Sequence, residues 1–475
     1  VRNRVIAEAV AKFDSGVFER HLAELVAVRS TSQEVQHEGE LRAYLGQMLT
    51  PWLERMGFIC AIYDNPVPGF GPLLIAERVE APDLPTVLSY GHGDTVRGME
   101  EQWTNGREPW TLRREGDRWY GRGTADNKGQ HLCNLFALEV VLAALDDRLG
   151  YNVKLVIEMA EERGSAGLAE FIRDHAAALS ADVFLASDGP RVAPDVPTVA
   201  GGTRGNFQFD LVVSARAGGV HSGHWGGLTT DPALVLAHAL ASICDQNGRI
   251  LVRDWLPGGG APLDRRTREM LARCPVDDDS DAAQVEETWG ESSLSAAERR
   301  YAWNSFIVRA MISGRPDAPQ NAVAPNARAH CEIRYTPESD PASFAPALRR
   351  HLDARGLSNV FIEAATVRMP ASATPPGSPW LAWVADSIAR STDGAVQIIP
   401  NISGGMPGQA FVEHLGLPLV WVPHSHNGCK QHGPDEHMLV DIARQAVAAF
   451  AGLWFDLGHG DVPWRSETHP GNIHP

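Results

Sequence analysis

Cysteine is scarce and scattered in these 475 residues: Cys60, Cys133, Cys244, Cys274, Cys331 and Cys429, with no C-x-x-C pair. That excludes a disulfide framework and a cysteine-built zinc finger, and fits reduced thiols in a cytosol. Long apolar runs are missing as well, since no stretch reaches the roughly 20 residues that a membrane span requires. Near the first residue Arg2, Arg4, Glu8 and Lys12 break up any uncharged leader core, so the expectation is a soluble, cytoplasmic protein with no membrane partner. There is no excess of positive charge; the formal net charge is −17, which argues against nucleic acid as a partner. The signatures G-x-S-x-G and H-E-x-x-H are both absent, which disfavours a serine hydrolase and a single-zinc protease.

What the chain does have is apolar content of 44% and enough length for more than one domain. Residues 1–57 show apolar spacings of three and four, as helices do. Strands are expected over 58–63, 73–79, 86–90, 153–159 and 182–186, with helices over 129–145 and 166–178 between them. This β-α-β rhythm predicts an α/β fold with a largely parallel sheet between helices, whose ligand sites lie beyond the carboxyl ends of the strands. Around 190–205 the texture turns to Pro, Gly and Val. From there an α+β module is expected, with an alternating antiparallel strand over 206–214 that sets Phe207, Phe209, Leu211 and Val213 on one face. A polar stretch containing Asp277, Asp278 and Asp279 reads as irregular or as a helical insertion on the surface. The α/β rhythm then resumes, with a last helix expected over 437–455. The division is 1–204 and 371–475 for one discontinuous domain and 205–370 for the module inserted in it.

Five segments end in an acid or a histidine at a turn. The sharpest is Tyr120 to Gln130, where Gly121, Gly123 and Gly129 free the backbone around Asp126 just before a helix. On its own Asp126 is equally a helix cap or a turn residue. His92 and Asp94 follow the 86–90 strand, Glu161 and Glu162 follow 153–159, Asp188 follows 182–186, and His432 lies in a late Gly-Pro loop. Each has a structural alternative, such as a hydrogen-bonded strand-end histidine or a pair of solvated acids at a helix start. Together they form a donor set of imidazole and carboxylate suited to divalent cations, and a carboxylate can be shared between two ions.

Read in order and spacing, Gly91-His92-Gly93-Asp94, Gly123 to Gly129, Glu161-Glu162-Arg163-Gly164-Ser165, His221-Ser222-Gly223 with Gly226-Gly227, and His432 resemble the carnosinase, glutamate carboxypeptidase, aminoacylase and succinyl-diaminopimelate desuccinylase family of di-zinc hydrolases. The resemblance spans nearly the whole chain. It implies a zinc-exopeptidase-like sheet sandwiched by helices with an inserted lid and dimerisation domain. It implies that His92, Asp126 and Asp188 hold one ion and Asp126, Glu162 and His432 the other, with a cis peptide after Asp126. Asp94 is then the residue that orients His92, and Glu161 the general base. The ligands accept zinc, manganese or cobalt, with zinc the first choice. Chemically, a metal pair roughly 3.5–4 Å apart acidifies a bridging water and polarises the scissile carbonyl. Glu161 can then pass the proton to the leaving amine.

His221, on the inserted module, is expected to stabilise the oxyanion, either in its own chain's site or in that of a partner in a homodimer. For substrate binding the resemblance points to Arg334, which is otherwise an exposed strand arginine, and to Asn401, Gly404 and Gly405 in a glycine-rich loop. Asn401 stands where the dipeptidases have an arginine. The length of the insertion, particularly 251–304, favours the dipeptidase branch. The expected reaction is hydrolysis of a dipeptide or short peptide. An N-acyl-amino-acid deacylase of the same mechanism and a catalytically silent metal-binding homologue are the alternatives.

Overall fold

The computed structural model describes residues 1–276, 283–374, 377–392 and 394–464. Its main sheet has eight strands in the order Ile59–Tyr63, Leu73–Arg78, Asn152–Glu158, Thr86–His92, Val183–Ala186, Leu419–Trp421, Thr198–Ala200 and Gln397–Ile399. Pairing is parallel across the middle and between the last two strands, and antiparallel for the first two strands and where Trp421 meets Ala200. Alternate side chains sort into two cores. Leu74, Ala76, Val153, Leu155, Val420 and Val422 meet the helices Arg2–Asp14, Val17–Ala27, Lys128–Ala144, Trp380–Thr392 and Val440–His459. Leu73, Ile75, Tyr90, Phe184 and Trp421 meet Leu168–Asp174 and Gly408–Leu415 on the other face. Burial on both faces is why these strands read as continuous apolar runs in the sequence, with no polar alternation.

A second, antiparallel sheet has the order Ser305–Ser313, Asn326–Tyr335, Gly205–Ser214, Val360–Met369. Here one face alone is covered. Phe207, Phe209, Leu211 and Val213 are buried against Leu236, Ala239 and Ile243 of the helix Pro232–Ile243 and Phe344, Leu348 and Leu352 of the helix Phe344–Asp353. Each such fully buried side chain contributes about 1.5–3 kcal/mol. Asp231 caps the first helix by accepting the N–H of Ala233, and Pro232 occupies the first turn, where no N–H is needed.

The polar insertion departs from expectation. Among its described residues are two α-helices, Arg265–Leu271 and Ala296–Tyr301, the second started by a Ser295/Glu298 capping box. They are not a surface ornament, because Leu271, Ala297, Tyr301 and Ala302 are buried with Ile399, Ile402 and Leu417 of the main body. Asp277, Asp278 and Asp279 lie outside the described residues, as does the tail from 465 onward. The last helix begins at Val440, later than expected. His437–Leu439 is instead a strand, paired with Arg118–Tyr120.

Candidate active site

The carboxyl ends of the central strands converge on one cluster. Ligand atoms of His92, Asp126 and Asp188 lie within 4.8 Å of one another, and so do those of Asp126, Glu162 and His432. His92 ends a wholly buried strand. Its flanking glycines are required by packing: a Cβ on Gly91 would come 2.8 Å from the His131 Cβ, and one on Gly93 would come 2.3 Å from the Tyr44 ring. Asp126 sits two residues before the helix Lys128–Ala144, and the peptide that follows it is cis. Glu161 and Glu162 share one short 3-10 turn, Glu161–Arg163, and Asp188 lies two residues past Val183–Ala186.

Asp126 faces both ways. Its Oδ1 lies 2.9 Å from His92 Nε2 and its Oδ2 2.9 Å from His432 Nε2. Asp188 Oδ2 is 3.7 Å from His92 Nε2, and Glu162 Oε2 is 3.1 Å from His432 Nε2. Glu161 stands outside both ligand groups, with Oε2 4.0 Å from His92 Nε2. Asp94 organises the turn from beneath. Its carbonyl takes the hydrogen bond of His92 Nδ1 at 3.1 Å, and its carboxylate accepts Glu161 N–H, Glu162 N–H and the Ser32 hydroxyl. This holds the imidazole with Nε2 toward Asp126.

The electrostatics describe a site in which protons stand in for a cation. Burial, with the charge of Asp126, pushes Glu162 up to about 7 and Asp188 up to about 6. Burial and the charges of Glu162, Asp188 and Asp126 raise Glu161 well above the usual carboxylate range, against the pull of His92. The His432 side chain stays open to solvent on one side; over the partial desolvation that opposes protonation, hydrogen bonds to Asp126 and Glu162 push it up to about 11. His92 is likewise raised, by Asp126 and Asp94 over the opposing effect of burial. Burial works against an ionised Asp126, but the two imidazoles hold it well below its usual value. The three carboxyls of Asp126, Glu162 and Asp188 and the two imidazoles of His92 and His432 are a donor set that two divalent cations sharing Asp126 would satisfy.

Two organising residues escaped the sequence reading. Glu436, fully buried, accepts Ala125 N–H and Asp126 N–H on Oε1 at 3.0 Å each, and on Oε2 Gly123 N–H at 3.0 Å and Arg122 Nη1 at 2.7 Å. It therefore ties the Asp126 turn to the loop of His432. Asn127 links two strand ends: its Oδ1 receives His92 N–H, and its Nδ2 donates to the Ser187 carbonyl at 2.8 Å. Their only sequence signal was an acid or amide adjacent to a stronger motif, with no partner visible.

The residues expected to touch substrate are not brought into this cluster. Exposed His221 accepts Gly223 N–H on Nδ1 and stacks on His224, with no hydrogen bond to a ligand candidate among the described residues. Arg334 is paired with Glu332 at 2.5 Å. Asn401 is buried and donates to the Tyr301 carbonyl, so its amide serves to anchor the loop. Gly404 has open space around it, while Gly405 lies close to Met369 and the Arg204 carbonyl. This loop reaches the cluster through Ile402, which packs over Gly189 beside Asp188.

Against known proteins, the profile of peptidase family M20/M25/M40 matches residues 88–456. A cysteinylglycine-S-conjugate dipeptidase of Corynebacterium striatum is 29% identical over 368 residues, 75% of this chain and 77% of that one. A Beta-Ala-His dipeptidase of Mus musculus is 29% identical over 362 residues, 71% of each chain. In structure, human carnosine dipeptidase 1 superposes with a TM-score of 0.78 over 96% of this chain and 98% of its own, at 21% identity. At that identity the superposition speaks for the fold.

Proposed function

The chain belongs to peptidase family M20/M25/M40 and is a metallopeptidase that hydrolyses peptide bonds; we propose that its substrates are dipeptides, cleaved at a co-catalytic site in which Asp126 is shared between two divalent ions. The observation that carries this reading is the pair of Asp126 oxygens, each 2.9 Å from a different histidine, with Glu161 beside them and outside both ligand groups. His92, Asp126 and Asp188 would hold one ion and Asp126, Glu162 and His432 the other, zinc being favoured by the imidazole and carboxylate donors. When bound, such a pair supplies Lewis acidity for water and for the scissile carbonyl.

The chain's own residues do the rest. Asp94 keeps His92 turned with Nε2 inward and holds the Glu161–Glu162 turn by its backbone. Glu161 takes a proton from the attacking water at its carboxylate and returns it to the leaving amine. Its burial suits that task, because a carboxyl raised above its ordinary range is the stronger base once ionised. Residues 1–204 and 371–475 form the catalytic domain and 205–370 the lid and dimerisation domain. His221 donates to the oxyanion, and Arg334, with the Asn401, Gly404 and Gly405 loop, contacts the substrate when the lid closes. A homodimer in the cytosol fits the unpaired thiols and the sheet-edge strand Ser305–Ser313, which exposes Ile307, Met311 and Ile312.

The relatives named above act on cysteinylglycine S-conjugates and on Beta-Ala-His. The test is therefore hydrolysis of Cys-Gly and β-Ala-His by protein reconstituted with zinc, manganese or cobalt, alongside a set of N-acyl amino acids. Release of free amino acids from a dipeptide, abolished by chelator, is expected. Turnover of N-acyl amino acids with every dipeptide left intact would overturn the dipeptide assignment.

A further inference from the structure

Beyond the Ser403–Gly405 loop lies a cavity of about 500 Å³, in the size range of small-molecule sites. Arg204, Arg299 and Arg300 line it together with Trp289, Trp303 and Phe306. Arg204 is the unusual member. Only 8% exposed, it donates from Nε to the Ser403 carbonyl at 3.1 Å and from Nη1 to the Trp303 carbonyl at 3.0 Å. Neither partner carries charge, and among the described residues Nη2 has no hydrogen-bond partner and no carboxylate forms an ion pair with Arg204. Burial and the nearby cations Arg334 and Arg300 push this guanidinium down to about 9, against a weaker opposing pull from Glu332.

Among the described residues, the acids around the cavity are engaged elsewhere or lie at its rim. Glu291 is paired with Arg249 at 3.0 Å, Glu332 is bonded to Arg334, and Glu286 is exposed. Arg299 and Arg300 each donate from Nη1 to a backbone carbonyl, of Glu287 and Val276 respectively, and among the described residues neither forms an ion pair with a carboxylate. A buried cation left without an anion is costly, and a planar guanidinium fork is the group that best binds a carboxylate. The aromatic walls add apolar surface for the body of such a ligand.

We propose that this cavity is a carboxylate subsite, built on Arg204, Arg299 and Arg300, and that it takes an acidic side chain of the dipeptide. The assignment to substrate rests on the dipeptidase reading and on the loop, one face of which is bonded to Arg204 while Ile402 covers Gly189 next to Asp188. It also places positive charge near Asn401, whose amide holds the carbonyl of Tyr301, the residue after Arg300. A free dicarboxylate presents the same chemistry.

The test is the ratio of kcat/KM for Ala-Glu to that for Ala-Gln, measured in the metal-loaded wild type and in Arg300→Gln and Arg299→Gln. Because each variant is its own control, a general loss of fold lowers both substrates and leaves the ratio unchanged. A ratio of about ten or more in the wild type, collapsing toward one in the variants, is expected for an acidic subsite. In parallel, glutarate is titrated calorimetrically into the same proteins. A ratio near one, with saturable glutarate binding weakened about tenfold in Arg300→Gln, assigns the site to a free carboxylate. A ratio near one together with glutarate binding that ignores both arginines overturns the proposal. If no dipeptide is cleaved while Arg300-dependent glutarate binding persists, it is the dipeptidase reading that fails and the cavity assignment that stands.

Discussion

Replacing Glu436 by glutamine exchanges one oxygen for an NH2 and removes one charge at the point where the Asp126 turn is held. In the native protein one carboxylate oxygen accepts the N–H groups of Ala125 and Asp126 and the other accepts Gly123 N–H and Arg122 Nη1. An amide keeps a single acceptor oxygen, so whichever way it sits, two of the four bonds become donor-against-donor contacts. Charge-assisted bonds of this kind contribute about 1.5–3 kcal/mol each. Arg122 is itself fully buried, with no hydrogen-bond partner for Nε and Nη2 among the described residues, and a buried charge deprived of its counterion costs about 3–5 kcal/mol. These losses overlap, so the expected destabilisation of the metal-free protein is about 4 kcal/mol. Metal affinity should fall by about 10–100-fold as well, because the turn that aims both Asp126 oxygens relaxes. Urea unfolding and chelator competition measure the two effects. The double variant Arg122→Met/Glu436→Gln should recover part of the stability, since no unpaired cation remains. A Glu436→Gln protein with the wild-type urea midpoint and wild-type metal affinity would refute the reasoning.

Asp126→Ala should lose both ions, whereas Glu162→Ala and His432→Ala should each retain close to one; elemental analysis showing two per chain in Asp126→Ala would rule out sharing. In the metal-free protein Glu162, Asp188 and His432 bind protons more tightly folded than unfolded, with folded values of about 7, 6 and 11. Stability supplied by those protons is therefore lost as pH rises, through about 4 to 7 for the acids and above about 6.5 for the histidine. Asp126, whose value is lowered, adds no slope above pH 5 because it is ionised in both states. Metal displaces these protons, so the Tm gain on adding metal should grow from pH 5 to pH 8, and a gain independent of pH would contradict the assignment of these groups as ligands. Co-assembly of Glu161→Gln and His221→Ala chains should restore about a quarter of wild-type activity if His221 serves the partner's site, since half of the dimers are mixed and each has one intact site. Activity no higher than the mean of the two single variants, in a sample shown to contain mixed dimers, would eliminate the shared-site arrangement.

The ligand cluster was legible because its residues sit where a β-α-β chain must change direction. His92 and Asp188 follow short apolar strands, Asp126 precedes the most buried helix of the chain, and Glu161 with Glu162 occupies the turn after Asn152–Glu158. Local pattern sufficed for those elements. It failed where long-range packing decides. The insertion looked like a solvated surface segment because its helices are short and polar; Leu271, Ala297 and Tyr301 become core only because the main body supplies Ile399 and Leu417 opposite them. His437–Leu439 looked like the first turn of a helix, yet Arg118–Tyr120, paired along one edge with Arg113–Glu115, took it as a strand along its other edge. Glu436 was invisible for the same reason, since its four donors lie more than 300 residues away in the chain. The substrate contacts were the least legible, because Arg334 and Asn401 were identified by likeness alone and their side chains are engaged within the protein, by Glu332 and by Tyr301.

The most direct measurement of the central claim is metal content together with turnover for Glu161→Gln, a change that keeps the shape of the side chain and removes its basicity. Glu161 lies outside both ligand groups, so the variant should hold as many ions as the wild type, two per chain on the proposed reading, while dipeptide turnover falls by about 10²–10⁴-fold. Turnover near the wild-type value in a variant with its metals in place would contradict the assignment of Glu161 as the base beside an Asp126-bridged metal pair.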